Sequence, residues 1–158
     1  MSAPFLRMEP AGVQTYLHEH IPLSAAMGVR VIACDQTGAT LAAPLEPNIN
    51  HRATVFGGSA SAVAILAAWT WLHFALRDAG QPARLVIQKN TVDYLAPITG
   101  EFVARCEAVP AEVFEKFLRT LARHGKARLE VAAVLTLDGE KVAMFSGDYV
   151  AVKLASGG

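Results

Sequence analysis

Charge is in short supply in this chain, and neither sign prevails. The 158 residues carry 14 Lys and Arg against 14 Asp and Glu, 18% charged in all, where about 25% is usual. No net field draws the protein to nucleic acid or to an anionic membrane, so an anionic partner has to be met by a local basic patch. Cysteine is scarcer still. Cys34 and Cys106, each inside an apolar, strand-like stretch, are too few for a disulfide framework or a thiolate zinc site, and both read as small core residues. The segment Met1 to Glu9 holds an acid and a proline but no long apolar core. It therefore does not read as a secretory signal, and the expected location is cytoplasmic.

Between Ala53 and Leu76 ionisable acids and bases other than histidine vanish altogether. That length meets the rule for a membrane span, but the composition argues against one. Residues 54–62, Thr-Val-Phe-Gly-Gly-Ser-Ala-Ser-Ala, are small and partly polar, and only Val63 to Leu76 is strongly apolar. A helix apolar on every side is equally the core helix of a soluble domain, and that is the expectation here, with no membrane span.

What is present in excess is apolar surface, 53% of residues, more than one small core needs; a subunit interface is the simplest place for the surplus. Val13 to His20 reads as a short helix ended by Pro22. Gly28 to Cys34 and Ala39 to Leu45 read as paired strands around the turn Asp35 to Gly38, followed by a polar loop, Glu46 to Phe56. Gly57-Gly58-Ser59 opens the long apolar helix, which the Gly80 and Pro82 signals close. Arg84 to Leu95, Glu101 to Glu107, Lys126 to Leu137 and Glu140 to Lys153 read as strands, the second and third alternating cleanly. Pro110 to His124 reads as an amphipathic helix with Gly125 as its C-cap. Asp138-Gly139 marks a hairpin, and Ala155 to Gly158 a loose tail. Residues 1–158 are read as a single α+β domain: an antiparallel sheet of about six strands wrapped around one long apolar helix, with an extra amphipathic helix late in the chain.

That order, with two sequence stretches, resembles the hot-dog fold. The first stretch is Pro47-Asn-Ile-Asn-His-Arg-Ala-Thr-Val-Phe-Gly-Gly-Ser59, a polar loop running into a Gly-Gly helix start. The second is Val92-Asp-Tyr-Leu-Ala-Pro-Ile-Thr-Gly100, a strand, proline turn and glycine after the central helix. Together they are similar to the thioesterase family of the YiiD C-terminal type, over about Leu17 to Val152. The resemblance implies hydrolysis of acyl thioesters on coenzyme A or acyl carrier protein, at sites on the interface of a homodimer or a homotetramer. It implies no metal or redox cofactor; coenzyme A or phosphopantetheine enters only as part of the substrate.

The residues can support such chemistry. A helix N-terminus presents unpaired N–H groups and the positive end of its dipole, and glycine lets a ligand carbonyl approach closely. Gly57 and Gly58 are thus candidates for stabilising an oxyanion, with Phe56 and Ser59 beside the substrate. The alternative is that the glycines serve packing and Ser59 caps the helix. Asn48, Asn50, His51 and Thr54 are candidates for holding water or substrate, with His51 as general base, since imidazoles as a class titrate near neutrality. Alternatively the asparagines make turn hydrogen bonds and His51 is a solvated loop residue. Better-known hot-dog thioesterases carry an acid in the central helix about two turns after the glycines. Residues 62–69 here, Ala-Val-Ala-Ile-Leu-Ala-Ala-Trp, have none, so that mechanism does not carry over. Asp93, mid-strand among apolar neighbours, is the nearest substitute, supporting from a partner subunit; the alternative is that it hydrogen-bonds into the adjacent turn. Trp69 is core or acyl-pocket lining. Arg119, Arg123 and Lys126 are candidates for the phosphates of coenzyme A or the acidic face of a carrier protein; the alternative, favoured for charges on exposed strand and helix faces, is an ordinary solvated surface. His18-Glu19-His20 lacks a third ligand, so no metal is expected. Two other readings stand beside hydrolysis: hydration or dehydration of enoyl thioesters, and a non-catalytic acyl-thioester binding module.

Overall fold

The computed structural model describes residues 9–155; the readings made for the segment before Glu9 and for the tail beyond Ala155 lie outside them. The elements in order are α1 (Pro10–His20), α2 (Pro22–Ala26), β1 (Arg30–Asp35), β2 (Gly38–Ala43), α3 (Gly57–Asp78), β3 (Ala83–Tyr94), β4 (Phe102–Glu107), α4 (Ala111–His124), β5 (Lys126–Leu137) and β6 (Glu140–Lys153). All six strands join one antiparallel sheet in the order β1-β2-β4-β5-β6-β3. The sheet wraps around α3, as the hot-dog resemblance implies. Several boundaries differ from the sequence reading: α1 begins at Pro10 rather than Val13, and β2 ends at Ala43 rather than Leu45. Pro22 does not merely end α1 but starts α2, since its fixed φ and missing N–H suit a first helical position. The first strand begins at Arg30 rather than Gly28, because Gly28 adopts a φ of 70° that extended backbone excludes.

Strand alternation builds the core. Phe102, Ala104 and Cys106 on β4, with Leu129, Val131, Ala133 and Leu135 on β5, are buried, and the residues that alternate with them are not. Leu17, Leu72, Leu76 and Tyr149 close the layer against α3. Each large side chain so buried contributes roughly 1.5–3 kcal/mol relative to exposure. Twelve residues of α3 are buried, so the long uncharged run is the core helix of this sheet. Tyr149, fully buried, donates its hydroxyl to Ile65 O at 2.6 Å and ties the sheet to the middle of that helix. On α4, Phe117 and Leu121 are buried while Val113 is 42% exposed, so the apolar stripe is narrower than the five residues that the sequence offers. Gly125 ends α4 with a φ of 75°, a conformation that a Cβ would strain.

Cys34 and Cys106 are both buried and free. Each lies opposite Ala39, one on either side of β2. Two strand spacings, about 10 Å, separate them, beyond disulfide reach. Burial pushes both thiols up to about 12, so they remain protonated and unreactive.

The C-terminal half of α3 carries a second polar feature. His73 stacks on Trp69, with ring centroids 4.4 Å apart, and lies 5.2 Å from the Tyr16 ring. Its buried Nε2 has no hydrogen-bond partner. Burial, reinforced by the cations Arg77 and His20, pulls His73 down to about 4 from an ordinary 6.5. Between those two values the unfolded chain binds the proton and the folded protein does not, so stability falls as pH falls. Urea titrations at pH 7, 6 and 5 should show declining stability. The decline should be shallower in His73→Gln, and equal slopes in the two proteins would refute the assignment.

Candidate functional site

The N-terminus of α3 emerges at one end of the sheet with nothing capping it. Phe56 occupies the cap position and offers no side-chain hydrogen bond to the first turn. The Ser59 N–H is already used, donating to Phe56 O at 2.9 Å, so Ser59 is neither a cap nor a free amide. The N–H groups of Gly57 and Gly58 have no backbone acceptor among the described residues. Such amides favour an anionic or developing-oxyanion group from outside.

Two aromatic rings frame this pair. The Phe56 ring lies over Gly58, where an added Cβ would come within 2.4 Å of Phe56 Cε2. Tyr94, at the end of β3, packs on Gly57 and donates its hydroxyl to Gly57 O at 2.8 Å. Both rings are more than half exposed, at 58% and 54%. Exposed aromatics flanking bare amides form an apolar wall beside a polar grip, open on the outer side.

The loop before α3 is a miniature hairpin. Phe56 N donates to Asn48 O, a single β-bridge joins Ile49 and Val55, and Asn50 N donates to Thr54 O. Val55 N donates to Ile98 O, docking the hairpin on the turn after β3. His51 sits at its exposed tip, three rungs and therefore about 10 Å from Phe56. Arg52 Nε approaches His51 Nε2 at 3.4 Å.

Comparisons with known proteins bear on this arrangement. The family described as Putative thioesterase (yiiD_Cterm) matches residues 11–153. The chain belongs to that family. Among solved structures, a protein of unknown function from Chlorobaculum tepidum is 28% identical with a TM-score of 0.87, over 92% of this chain and 94% of the other. A protein described as a putative thioesterase from Shewanella oneidensis is 25% identical with a TM-score of 0.80, over 90% and 96%. A thioesterase from Haemophilus influenzae, 10% identical with a TM-score of 0.73 over 95% and 94%, shares the fold.

Within this thioesterase-family fold the residues singled out from sequence separate into groups. Gly57, Gly58 and Phe56 come together as expected. Asn48 does not face a ligand: it is 2% exposed, and its Nδ2 donates to Met27 O and Pro44 O. Asn50 is committed to the hairpin, its Nδ2 to Thr54 Oγ1 and its Oδ1 receiving the N–H groups of Arg52 and Thr54. These two asparagines and Thr54 shape the loop that delivers Phe56 to its place. Tyr94 faces α3, so its neighbour Asp93 faces the opposite side of the sheet, paired with exposed Met144, away from Gly57 in its own chain. Trp69 lies twelve residues along α3, roughly 18 Å from Gly57, with Nε1 donating to Leu85 O. Arg119, Arg123 and Lys126 lie at the far end. Lys126 pairs with Val152 beside the start of β3, a full helix length, roughly 30 Å, from Gly57. His18 Nε2 bonds Val29 O and His20 stacks on Tyr16, so both histidines of that cluster are otherwise engaged.

Tyr94 escaped the sequence reading although it stood inside the quoted Val92-to-Gly100 stretch. The signal was the period of two: with Val92 turned inward, Tyr94 had to follow it and Asp93 had to point away.

The loop assignment is testable by stability. Asn48→Ala leaves two buried carbonyls without donors and should cost about 2–4 kcal/mol, whereas Asn50→Ala, half-exposed, should cost about 1 kcal/mol. Chemical denaturation of both variants reads this directly; equal losses would contradict a buried tie at Asn48.

Proposed function

We propose that this protein hydrolyses fatty-acyl-type thioesters carried on coenzyme A or acyl carrier protein, at sites shared within a homo-oligomer. The observation that carries the reading is the uncapped start of α3, where the Gly57 and Gly58 amides lie bare between Phe56 and Tyr94. The thioester carbonyl sits against these two donors, and the charge that develops when water adds is stabilised there, each donor contributing roughly 3 kcal/mol. Phe56 and Tyr94 hold the first carbons of the acyl chain. The Tyr94 hydroxyl, bonded to Gly57 O, keeps the glycine turn in position. Water addition through an amide grip calls for no metal or redox group. With no acid in residues 62–69 of α3, the proton of the attacking water goes to His51, carried on its loop tip toward the grip as the oligomer and substrate close the site, and passes from His51 to the sulfur as the C–S bond breaks, releasing the carboxylic acid and the free thiol.

One observation favours a second reading, a thioester-binding module without turnover: in the single chain His51 stands about 10 Å from the amides. The two are separated by incubating the protein with acyl-CoA esters of increasing chain length and measuring thiol release. Hydrolysis predicts release on part of the panel. Gly58→Ala keeps its amide N–H, but the added Cβ would come within 2.4 Å of Phe56 Cε2 and displace that ring beside the grip, so kcat/KM should fall roughly tenfold, about 1.4 kcal/mol, while circular dichroism stays unchanged. His51→Ala should lower kcat with KM little changed. Tight acyl-CoA binding with no thiol release on any chain length would leave the binding module standing and remove the hydrolase.

A further inference from the structure

Between Ala60 and Leu76 the residues of α3 that are not buried are Ser61, Ala62, Ile65, Trp69 and His73. They recur at steps of three and four, so they lie on one face of the helix, and exposed Gly58 extends that stripe to the helix start. At the other end the stripe is covered by α1, whose Tyr16 ring lies 5.2 Å from His73 and 5.5 Å from Phe74. From Ile65 back to Gly58 it stays half-open.

β3 runs beside this stripe in the opposite direction. Its register shifts between Ile87 and Lys89, leaving Gln88 without a partner on β6. The apolar residues turned toward α3 are therefore Leu85 and Ile87 before the bulge and Val92 and Tyr94 after it, opposite Ala151, Tyr149, Phe145 and Ala143. Helix and strand are tied at both ends. Tyr94 bonds Gly57 O, and Leu85 O receives the Trp69 indole N–H at 3.1 Å. Between the ties Ala62, Ile65, Ile87 and Val92 are only partly buried. The Trp69 indole thus bridges the strip from helix to strand, and His73 backs it, stacked at 4.4 Å with the ring planes 10° apart. The result is an apolar strip with bare amides at one end and an indole across the other.

The geometry points to Trp69 as the stop that sets the longest acyl chain this protein accepts, with the chain lying along α3 between Gly58 and the indole. This assignment rests on the function proposed above. An alkyl chain suits the strip, which is one helix face wide, has aliphatic walls and begins where the thioester carbonyl is gripped. A chain leaving that carbonyl buries its apolar surface by turning along it. The length follows from the helix. Eleven residues separate Gly58 from Trp69, about 16 Å of rise, of which roughly 3.5 Å is contact distance to the ring. An extended alkyl chain advances about 1.25 Å per carbon, from its bond length of about 1.5 Å. The strip therefore holds an acyl group of about 10–12 carbons.

Thiol release from saturated acyl-CoA esters, butyryl to stearoyl, tests the stop. In the wild type kcat/KM should rise about two- to fourfold per added carbon as far as the decanoyl or lauroyl ester, and fall at least about tenfold by palmitoyl. Trp69→Ala opens the strip as far as His73, one helical turn or roughly 5–6 Å further, and should move the optimum about four carbons longer. Ile65→Phe blocks it one turn nearer the grip and should move the optimum about four carbons shorter. Trp69→Phe keeps a ring in place without the tie to Leu85 O and should hold the wild-type optimum. Each protein is read by its own ratio of palmitoyl to octanoyl kcat/KM, so a loss of folded protein, which lowers both, cancels. A wild type without a cut-off overturns the stop while hydrolysis stands. So does an optimum that stays put in both Trp69→Ala and Ile65→Phe, the result expected if a second copy of the chain covers the strip instead. If no ester releases thiol, hydrolysis fails, and calorimetric binding of non-hydrolysable alkyl-CoA thioethers becomes the readout. Affinity that peaks near the lauryl thioether and shifts longer in Trp69→Ala supports the stop; a length profile identical in the two proteins overturns it.

Discussion

The structure depends on burying α3. A 22-residue helix with no charge before Arg77 is insoluble on its own terms, and the curved sheet exists to enclose it. Enclosure has a consequence at the helix end. The sheet covers the flanks of α3, but its axis must exit somewhere, and where it exits the first amides meet no strand. In most proteins a serine, threonine or aspartate would satisfy them. Here Phe56 stands at that position, and the donors of Gly57 and Gly58 stay bare. The helix that forms the core thus also supplies the polar grip, and moving one moves the other.

The polar loop has a supporting part in this scheme. Its asparagines, the most conspicuous polar residues in the sequence, are turned to its own backbone and to Met27 and Pro44. That anchoring fixes where Phe56 leaves the loop and hence where α3 begins. A polar side chain near a reactive centre is often there to place backbone, and the distinction is made by whether its hydrogen bonds are already spent. For Asn50 they are.

β3 joins the two ends of the argument. Tyr94 on its inner face touches the grip, Leu85 receives the Trp69 indole, and the bulge between them reverses the numbering of the faces.

Much of this was legible in the residues themselves. The periods of two and 3.6, the glycine and proline punctuation, and the uncharged run were enough for the six strands, the core helix, α4 and the hairpin at Asp138-Gly139, because these features follow from local chemistry and from which side chains must avoid water. The Gly-Gly helix start was equally visible, since bare amides are a property of any helix beginning without a cap. The facing of Asp93, the burial of Asn48 and the distance of Arg119, Arg123 and Lys126 from Gly57 were not. Each depends on a strand pairing, a bulge or the length of α3 laid across the sheet, relations between residues far apart in the chain that no local pattern encodes. Composition and period settled what is buried; only the tertiary structure decided which of the exposed groups share a side and an end.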